Sequence, residues 1–196
     1  SPLAAIFSNS ARAISGSLSR VPAKPNILVI ISDDVGWGDL GCYGATQIKT
    51  PNLDRMAAEG ARLTQFNCPA PFCAPTRAAL MTGRYPFRCG MTANPAPDGG
   101  PLADALHLPE KEITLAQVLK SSGYATGMVG KWHIGDHSPS LPNDMGFDSY
   151  FGAHYSNDMK PFALFANREV AEPAPADQTR LTARYTQAAT EFIEQH

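Results

Sequence analysis

No run of 18 or more apolar residues occurs in the 196 residues, so no segment is long enough to cross a bilayer as a helix. Charge of one sign is also lacking: sixteen Lys and Arg stand against eighteen Asp and Glu, a net charge of −2. No broad field draws the chain to nucleic acid or to an anionic membrane, so any preference for anions has to be built locally. Cysteine is sparse. Cys42, Cys68, Cys73 and Cys89 match neither a zinc spacing nor a dense disulfide framework. With Cys73 kept for chemistry, the other three cannot all pair. Internal repeats are absent. What is present is a globular composition, 43% hydrophobic and 17% charged, with length for one domain and a substantial core. Seventeen prolines and sixteen glycines imply short elements joined by many loops.

Residues 1–24 read as a tail. Leu3 to Phe7 is a brief apolar patch and Ser10 to Arg20 is rich in Ser, Ala and Arg. The patch is short for a signal-peptide core and has no basic lead, so the tail is expected to be a mobile arm or the remnant of a processed leader. Pro25 to Ser32 is the clearest strand. Ile27 to Ile31 are successive apolar residues, mostly β-branched, a pattern that predicts burial on both faces of a parallel sheet. The run ends in Asp33-Asp34, followed by Gly36-Trp37-Gly38-Asp39. Ligands of open α/β sheets bind beyond the carboxyl ends of strands. Two adjacent carboxylates there are either an acidic turn or a site for a hard cation such as Ca²⁺ or Mg²⁺.

Thr50-Pro51 opens a helix that Gly60 stops, with Leu53, Met56 and Ala57 facing inward. Ala61 to Asn67 follows as a short strand leading to Cys73. The stretch Cys73-Ala74-Pro75-Thr76-Arg77-Ala78-Ala79-Leu80-Met81-Thr82-Gly83 reads as a helix with Pro75 at its first position and Gly83 as its C-terminal stop. Cys73 then sits at the helix mouth, where N–H groups and the dipole favour negative charge, with Arg77 about a turn further in. Taken alone, Cys73 is either a small buried hydrophobe or the centre of an anion site.

Arg84 to His107 is Pro- and Gly-rich, and Asn94 to Pro101 reads as a long surface loop at a pocket rim. Thr114-Leu115-Ala116-Gln117 is a capping box that opens a helix ending near Ser122, and Tyr124 to Val129 returns as a strand. At its end lies Gly130-Lys131-Trp132-His133-Ile134-Gly135. In extended backbone, Lys131 and His133 point the same way. Asn143 to Tyr155 reads as an aromatic loop leading into Ser156-Asn157-Asp158, Phe162 to Val170 as a hairpin, and Arg180 to Gln195 as an amphipathic helix with a structural role.

Three of these motifs carry a resemblance. Cys73-Ala74-Pro75-Thr76-Arg77, continuing through Gly83, resembles the Cys-x-Pro-Ser/Thr-Arg signature of the type I, formylglycine-dependent sulfatases. Gly123-Tyr124-Ala125-Thr126-Gly127 with Gly130-Lys131-Trp132-His133-Ile134-Gly135 resembles their second signature, and Pro25 to Asp39 looks like their opening strand and metal ligands. Thr50-Pro51-Asn52-Leu53-Asp54 is also typical of them. The likeness is greatest to arylsulfatases and covers their N-terminal portion only.

The resemblance implies an α/β fold, an alkaline-phosphatase-like sandwich with a central, mostly parallel sheet flanked by helices. Residues 25–196 would be the N-terminal portion of that catalytic domain. It implies a sulfuric ester hydrolase in which Cys73 is oxidised to formylglycine (3-oxoalanine), whose hydrate attacks sulfur and gives a covalent sulfoenzyme. Conversion would need a formylglycine-generating or anaerobic sulfatase-maturating enzyme as a partner. Arg77 would stabilise the nucleophile, and Lys131 would grip sulfate oxygens. His133 would orient the formylglycine and assist proton movement, and Ser156 would touch the sulfate. Asp33, Asp34 and the oxygen derived from Cys73 would bind Ca²⁺, with Mg²⁺ as a second option. The substrate would be a small-molecule or glycan sulfate ester, and the compartment periplasmic, secreted or lysosomal. Further metal ligands and the leaving-group acid of the family have no match here, so these residues alone are expected to be inactive. The competing readings are a phosphonate monoester or phosphodiester hydrolase of the same superfamily, and an inactive fragment that binds sulfate without turnover.

Overall fold

A computed structural model of the protein describes residues 6–7, 24–97 and 105–196. The expected tail lies outside the described residues apart from Ile6, Phe7 and Lys24, as do residues 98–104 of the Pro- and Gly-rich loop. The chain divides into two compact units, Ser1–Cys68 and Pro69–His196, each with its own packing.

In the first unit, β1 (Ile6–Phe7) is followed by α1 (Pro51–Glu59) and β2 (Ala61–Arg62). β1 and β2 pair antiparallel. The helix begins at Pro51 and ends at Gly60, whose N–H donates to the Met56 carbonyl at 2.9 Å. Thr50 makes no side-chain cap to the helix backbone. Its hydroxyl donates to Asp54 at 2.9 Å and accepts from the Gly41 N–H at 2.8 Å, while Asp54 also accepts from the Cys42 N–H at 2.7 Å. Those bonds fix the Gly41–Tyr43 turn on the helix. The strand expected over 61–67 is cut to two residues.

The strand expected over 25–32 does not form. Residues 24–32 have no ladder partner among the described residues, and Ile27, Leu28, Val29 and Ile30 are exposed. β-propensity describes how well a side chain fits a paired, half-buried surface. Without a neighbour to take the backbone N–H and C=O groups, an apolar run stays unpaired.

The second unit holds α2 (Cys73–Thr82), α3 (Pro86–Cys89), α4 (Leu115–Ser121), β3 (Gly127–Lys131), β4 (Ser149–Ala153), β5 (Leu164–Ala166), β6 (Glu169–Glu172) and α5 (Leu181–Gln195). The class is α/β, as expected. The sheet order is β3-β4-β5-β6, and the sheet is mixed: β3 and β4 pair parallel, β4–β5 and β5–β6 antiparallel. The antiparallel half is the expected hairpin, whose two-residue turn places Asn167 at φ 54°, a conformation Asn tolerates. β4 lies inside the stretch read as an aromatic loop. It forms because Gly152 allows close approach: a Cβ there would lie 1.9 Å from the Gly130 carbonyl oxygen.

The capping box closes as read. Thr114 accepts from the Gln117 N–H, Gln117 accepts from the Thr114 N–H, and the buried Thr114 hydroxyl also donates to the Met145 carbonyl. Gly83 ends α2 in the left-handed region at φ 64°, the glycine stop expected of it. One core joins Ala74 and Ala78 of α2 to Trp132, Ile134, Met145 and Tyr150, so the helix carrying Cys73 is packed on the sheet. α5 lies against β3 and β4, with Arg184 over the Phe151 ring at 5.3 Å, consistent with its structural role.

Candidate functional site

α2 starts two residues earlier than its proline suggests. Cys73 is the first helical residue and Pro75 the third, still within the turn whose N–H groups lack helical acceptors. Cys73 is a free, half-buried thiol. One of the orphan donors is already taken: the Ala74 N–H donates to the Asn94 side-chain oxygen at 2.9 Å. The Thr76 hydroxyl donates to the Ala70 carbonyl at 3.0 Å, tying the incoming loop to the first turn of the helix.

Arg77 projects from the next turn, and its Nη1 donates to the main-chain carbonyl of Lys131. This bond joins the two motifs that lie 54 residues apart. Lys131 closes β3 and is half-buried. Beyond it the strand line continues as two backbone bonds, Trp132 N–H to Ala153 O at 3.0 Å and His133 N–H to His154 O at 2.8 Å. Trp132 turns inward, 1% exposed, and its indole N–H donates to the Ser140 carbonyl at 2.8 Å.

His133 is not extended. Its φ is 65°, so it does not simply repeat the direction of Lys131. It is fully buried, and its Nε2 lies 3.0 Å from the Pro95 carbonyl. A carbonyl only accepts, so Nε2 carries the hydrogen and Nδ1 is the basic nitrogen of the neutral ring. The loop read as a surface rim therefore reaches inward at Pro95, which is itself buried. The Tyr155 ring meets His133 edge-on, centroids 6.0 Å apart.

Ser156 is buried, and its hydroxyl hydrogen-bonds the Asp158 carboxylate. That bond is the main cause holding the Asp158 carboxyl below its ordinary range, with the charges of Lys131 and His133 adding to it. Asp158, Asp136, Tyr155, His154, Pro95 and Asn94 are residues that sequence reasoning missed. Burial alone would raise the Asp136 carboxyl, but hydrogen bonds from His137 and Tyr155, backed by the charges of His137 and His154, hold it below the usual carboxylate range. His154 is pushed down to about 4 by burial, against a smaller opposing pull from Asp136. Its ring stacks on Phe165 at 3.9 Å. Only the pattern Tyr155-Ser156-Asn157-Asp158 gave any sign of this cluster.

Asp33 and Asp34 belong to the first unit. Both are exposed, and Asp34 adopts φ 56°. Their oxygen donors suit a hard cation. Among the described residues, no group of three or more His, Cys, Asp or Glu is arranged to hold a metal ion, and two carboxylates are fewer donors than a hard cation takes. An open cleft in the same unit, lined by Cys42, Lys49, Asp54 and Arg62 among others, includes none of the predicted site residues. No helix among the described residues is long and apolar enough to cross a membrane.

The sulfatase family model matches residues 25–196. Arylsulfatase G of Mus musculus is 40% identical over 215 aligned positions, covering 93% of this chain and 39% of its own length. The PsFucS1 sulfatase from Pseudoalteromonas sp. superposes with a TM-score of 0.71 at 30% identity, over 83% of this chain and 39% of that one. A further solved structure, in complex with its substrate D-glucosamine-2-N,6-O-disulfate, gives a TM-score of 0.63 at 25% identity, over 84% of this chain and 30% of that one. The chain thus spans well under half the length of the relatives it matches.

Proposed function

Because the chain belongs to the sulfatase family, we propose that the protein hydrolyses a sulfate monoester, with Cys73, Arg77, Lys131 and His133 at the reacting centre. The observation that carries the proposal is the Arg77 hydrogen bond to the Lys131 carbonyl. It locks the helix with Cys73 at its mouth to the strand end that bears Lys131 and His133.

Oxidation of Cys73 to formylglycine, by a formylglycine-generating or anaerobic sulfatase-maturating enzyme, would supply a hydrated aldehyde as nucleophile. Asp33 and Asp34 would contribute two carboxylates to Ca²⁺ or Mg²⁺, whose charge offsets that of the sulfate. The chain's own groups do the rest. A sulfate ester is anionic, and negative charge builds on the leaving oxygen as its bond to sulfur breaks, so fixed positive charge is worth most there. Arg77 and Lys131 provide that charge from neighbouring elements. Arg77 is already oriented by the Lys131 carbonyl and loses little freedom when an anion arrives. His133 has Nε2 held by Pro95, which leaves Nδ1 as the atom that takes up a proton. Asp158 balances the local cations. A sulfate contact from Ser156 would require its hydroxyl to exchange Asp158 for the substrate.

A sulfated sugar is the substrate class favoured here, in keeping with the sulfated glucosamine bound by the structural relative. The test compares a sulfate ester and a phosphonate monoester of the same phenol on the intact protein containing this chain. Faster hydrolysis of the sulfate, lost on Cys73→Ala, is the expected result. Preference for the phosphonate would move the assignment to the neighbouring hydrolases, and sulfate binding without turnover would reduce the protein to a binding fragment.

A further inference from the structure

α3 is a four-residue turn with two faces. Pro86 and Cys89 are buried, and the Cys89 thiol donates to the Pro86 carbonyl at 3.4 Å. Tyr85, Phe87 and Arg88 are exposed, Tyr85 at 62% and Phe87 at 69%. The turn is pinned at both ends: the Arg88 N–H donates to the Tyr85 carbonyl at 2.8 Å, and the N–H of the buried Met91 donates to the Pro86 carbonyl at 3.0 Å. Two large rings are thereby held in solvent on a fixed backbone. They lie nearly parallel, 13° apart in plane with centroids at 5.8 Å. The Arg88 guanidinium sits 5.8 Å from the Phe87 ring centre, within cation–π range, and has no carboxylate partner among the described residues. Arg84 borders the same turn. Its Nη1 donates to both oxygens of the buried Glu112, at 3.1 and 2.9 Å. On the adjoining turn Glu110 and Lys111 are both exposed and offset each other. The unpaired charge left on this face is that of Arg88.

An exposed apolar patch rimmed by polar groups marks a surface that meets a partner. The negative face of an aromatic ring attracts the weakly positive C–H edge of a sugar. A guanidinium fork held beside that ring matches the oxygens of a sulfate group. We propose that Tyr85, Phe87 and Arg88 form a docking surface for a sulfated glycan, the rings taking a sugar face and Arg88 a sulfate carried by it. The choice of occupant rests on the reading of the substrate as a sulfated sugar. α2 runs ten residues from Cys73 to Thr82, about 15 Å, so α3 lies at the far end of that helix from the reacting centre. The surface therefore grips a stretch of polymer other than the ester being cleaved, and it raises affinity for polymeric substrate without taking part in the chemistry.

The test uses the intact protein containing this chain, with two readouts: calorimetric affinity for dextran sulfate, with unsulfated dextran as control, and steady-state hydrolysis of 4-nitrophenyl sulfate. The variants are Tyr85→Ala, Phe87→Ala and Arg88→Gln, all at exposed positions. Arg84 is left in place because its removal would strand the buried Glu112 carboxylate. Dextran sulfate is expected to bind and dextran to bind far more weakly. Each aromatic variant should weaken dextran sulfate binding by roughly three- to tenfold, and Arg88→Gln by roughly tenfold, with hydrolysis of the small ester unchanged. Affinity that survives both aromatic variants overturns the inference. So does a loss confined to Arg88→Gln, which would leave only general attraction between charges. A change of oligomeric state in Tyr85→Ala or Phe87→Ala, read by sedimentation velocity, also overturns it, because the face then belongs to a protein interface. If the wild type does not cleave the sulfate ester yet dextran sulfate binding responds as described, the sulfatase reading falls and the docking surface stands. If turnover is present and binding does not respond, the docking surface falls alone.

Discussion

His154 makes the protein sensitive to mild acid in a calculable way. The ring is 8% exposed, stacked between Phe165 and Tyr150, and its Nε2 is buried without a hydrogen-bond partner. Burial depresses its pKa from 6.5 to about 4. The unfolded chain therefore takes up this proton as pH falls through 6.5, while the folded protein refuses it until about pH 4. Stability is unaffected above the unfolded value and is lost between the two. At pH 4.5 the loss from this one group is roughly 2.5 kcal/mol. Asp136, the nearby carboxylate, works in the same direction at lower pH: its depressed pKa stabilises the fold above the ordinary carboxylate range, and that contribution is lost as pH falls below it. His154→Phe keeps the stack and removes the titration. Urea unfolding of the wild type and His154→Phe at pH 7 and pH 4.5 separates the effect, because all other titrations occur in both proteins. The variant is expected to match or exceed the wild type by about 1 kcal/mol at pH 7, since a buried unsatisfied nitrogen is gone. At pH 4.5 its advantage should widen by roughly 2.5 kcal/mol. Parallel pH dependence of the two proteins would refute the reasoning.

Two structural predictions accompany it. Gly152→Ala places a methyl 1.9 Å from a backbone oxygen of β3, which cannot yield as a side chain would; a loss of roughly 3 kcal/mol or more is expected in thermal unfolding, and a shift under 1 kcal/mol would mean that the β3–β4 approach is looser than described. Thr114→Ala removes both the helix cap and the buried bond to Met145, so denaturant unfolding should show about 2 kcal/mol of destabilisation, with Thr114→Ser retaining most of the stability.

The parts of the fold legible in the sequence are those decided locally. The capping box at Thr114, the glycine stop at Gly83 and the hairpin over Phe162 to Val170 each depend on residues within a few positions of one another, and each forms. β4 was hidden because its strand character is non-local: Ser149–Ala153 contains three small residues, and its reason for pairing is the fit of Gly152 against Gly130. The run at 27–31 shows the converse, a strong local pattern that forms no ladder without a partner. At the site, the motifs named Cys73, Arg77, Lys131 and His133 as chemical residues but not how they are held. The Arg77–Lys131 bond spans 54 residues and the His133–Pro95 bond 38, and no spacing rule connects such positions. Asp136 had no signal at all, since a polar residue in a loop looks the same whether it is solvated or fixed.

If Cys73 is the precursor of the nucleophile, the mature protein no longer carries a thiol there. Peptide mass spectrometry of the Cys73 segment, on intact protein from its native source, reads this out. An aldehyde in place of the thiol at Cys73, with Cys42, Cys68 and Cys89 unconverted, is the expected result. An unmodified Cys73 in protein that cleaves sulfate esters would contradict it.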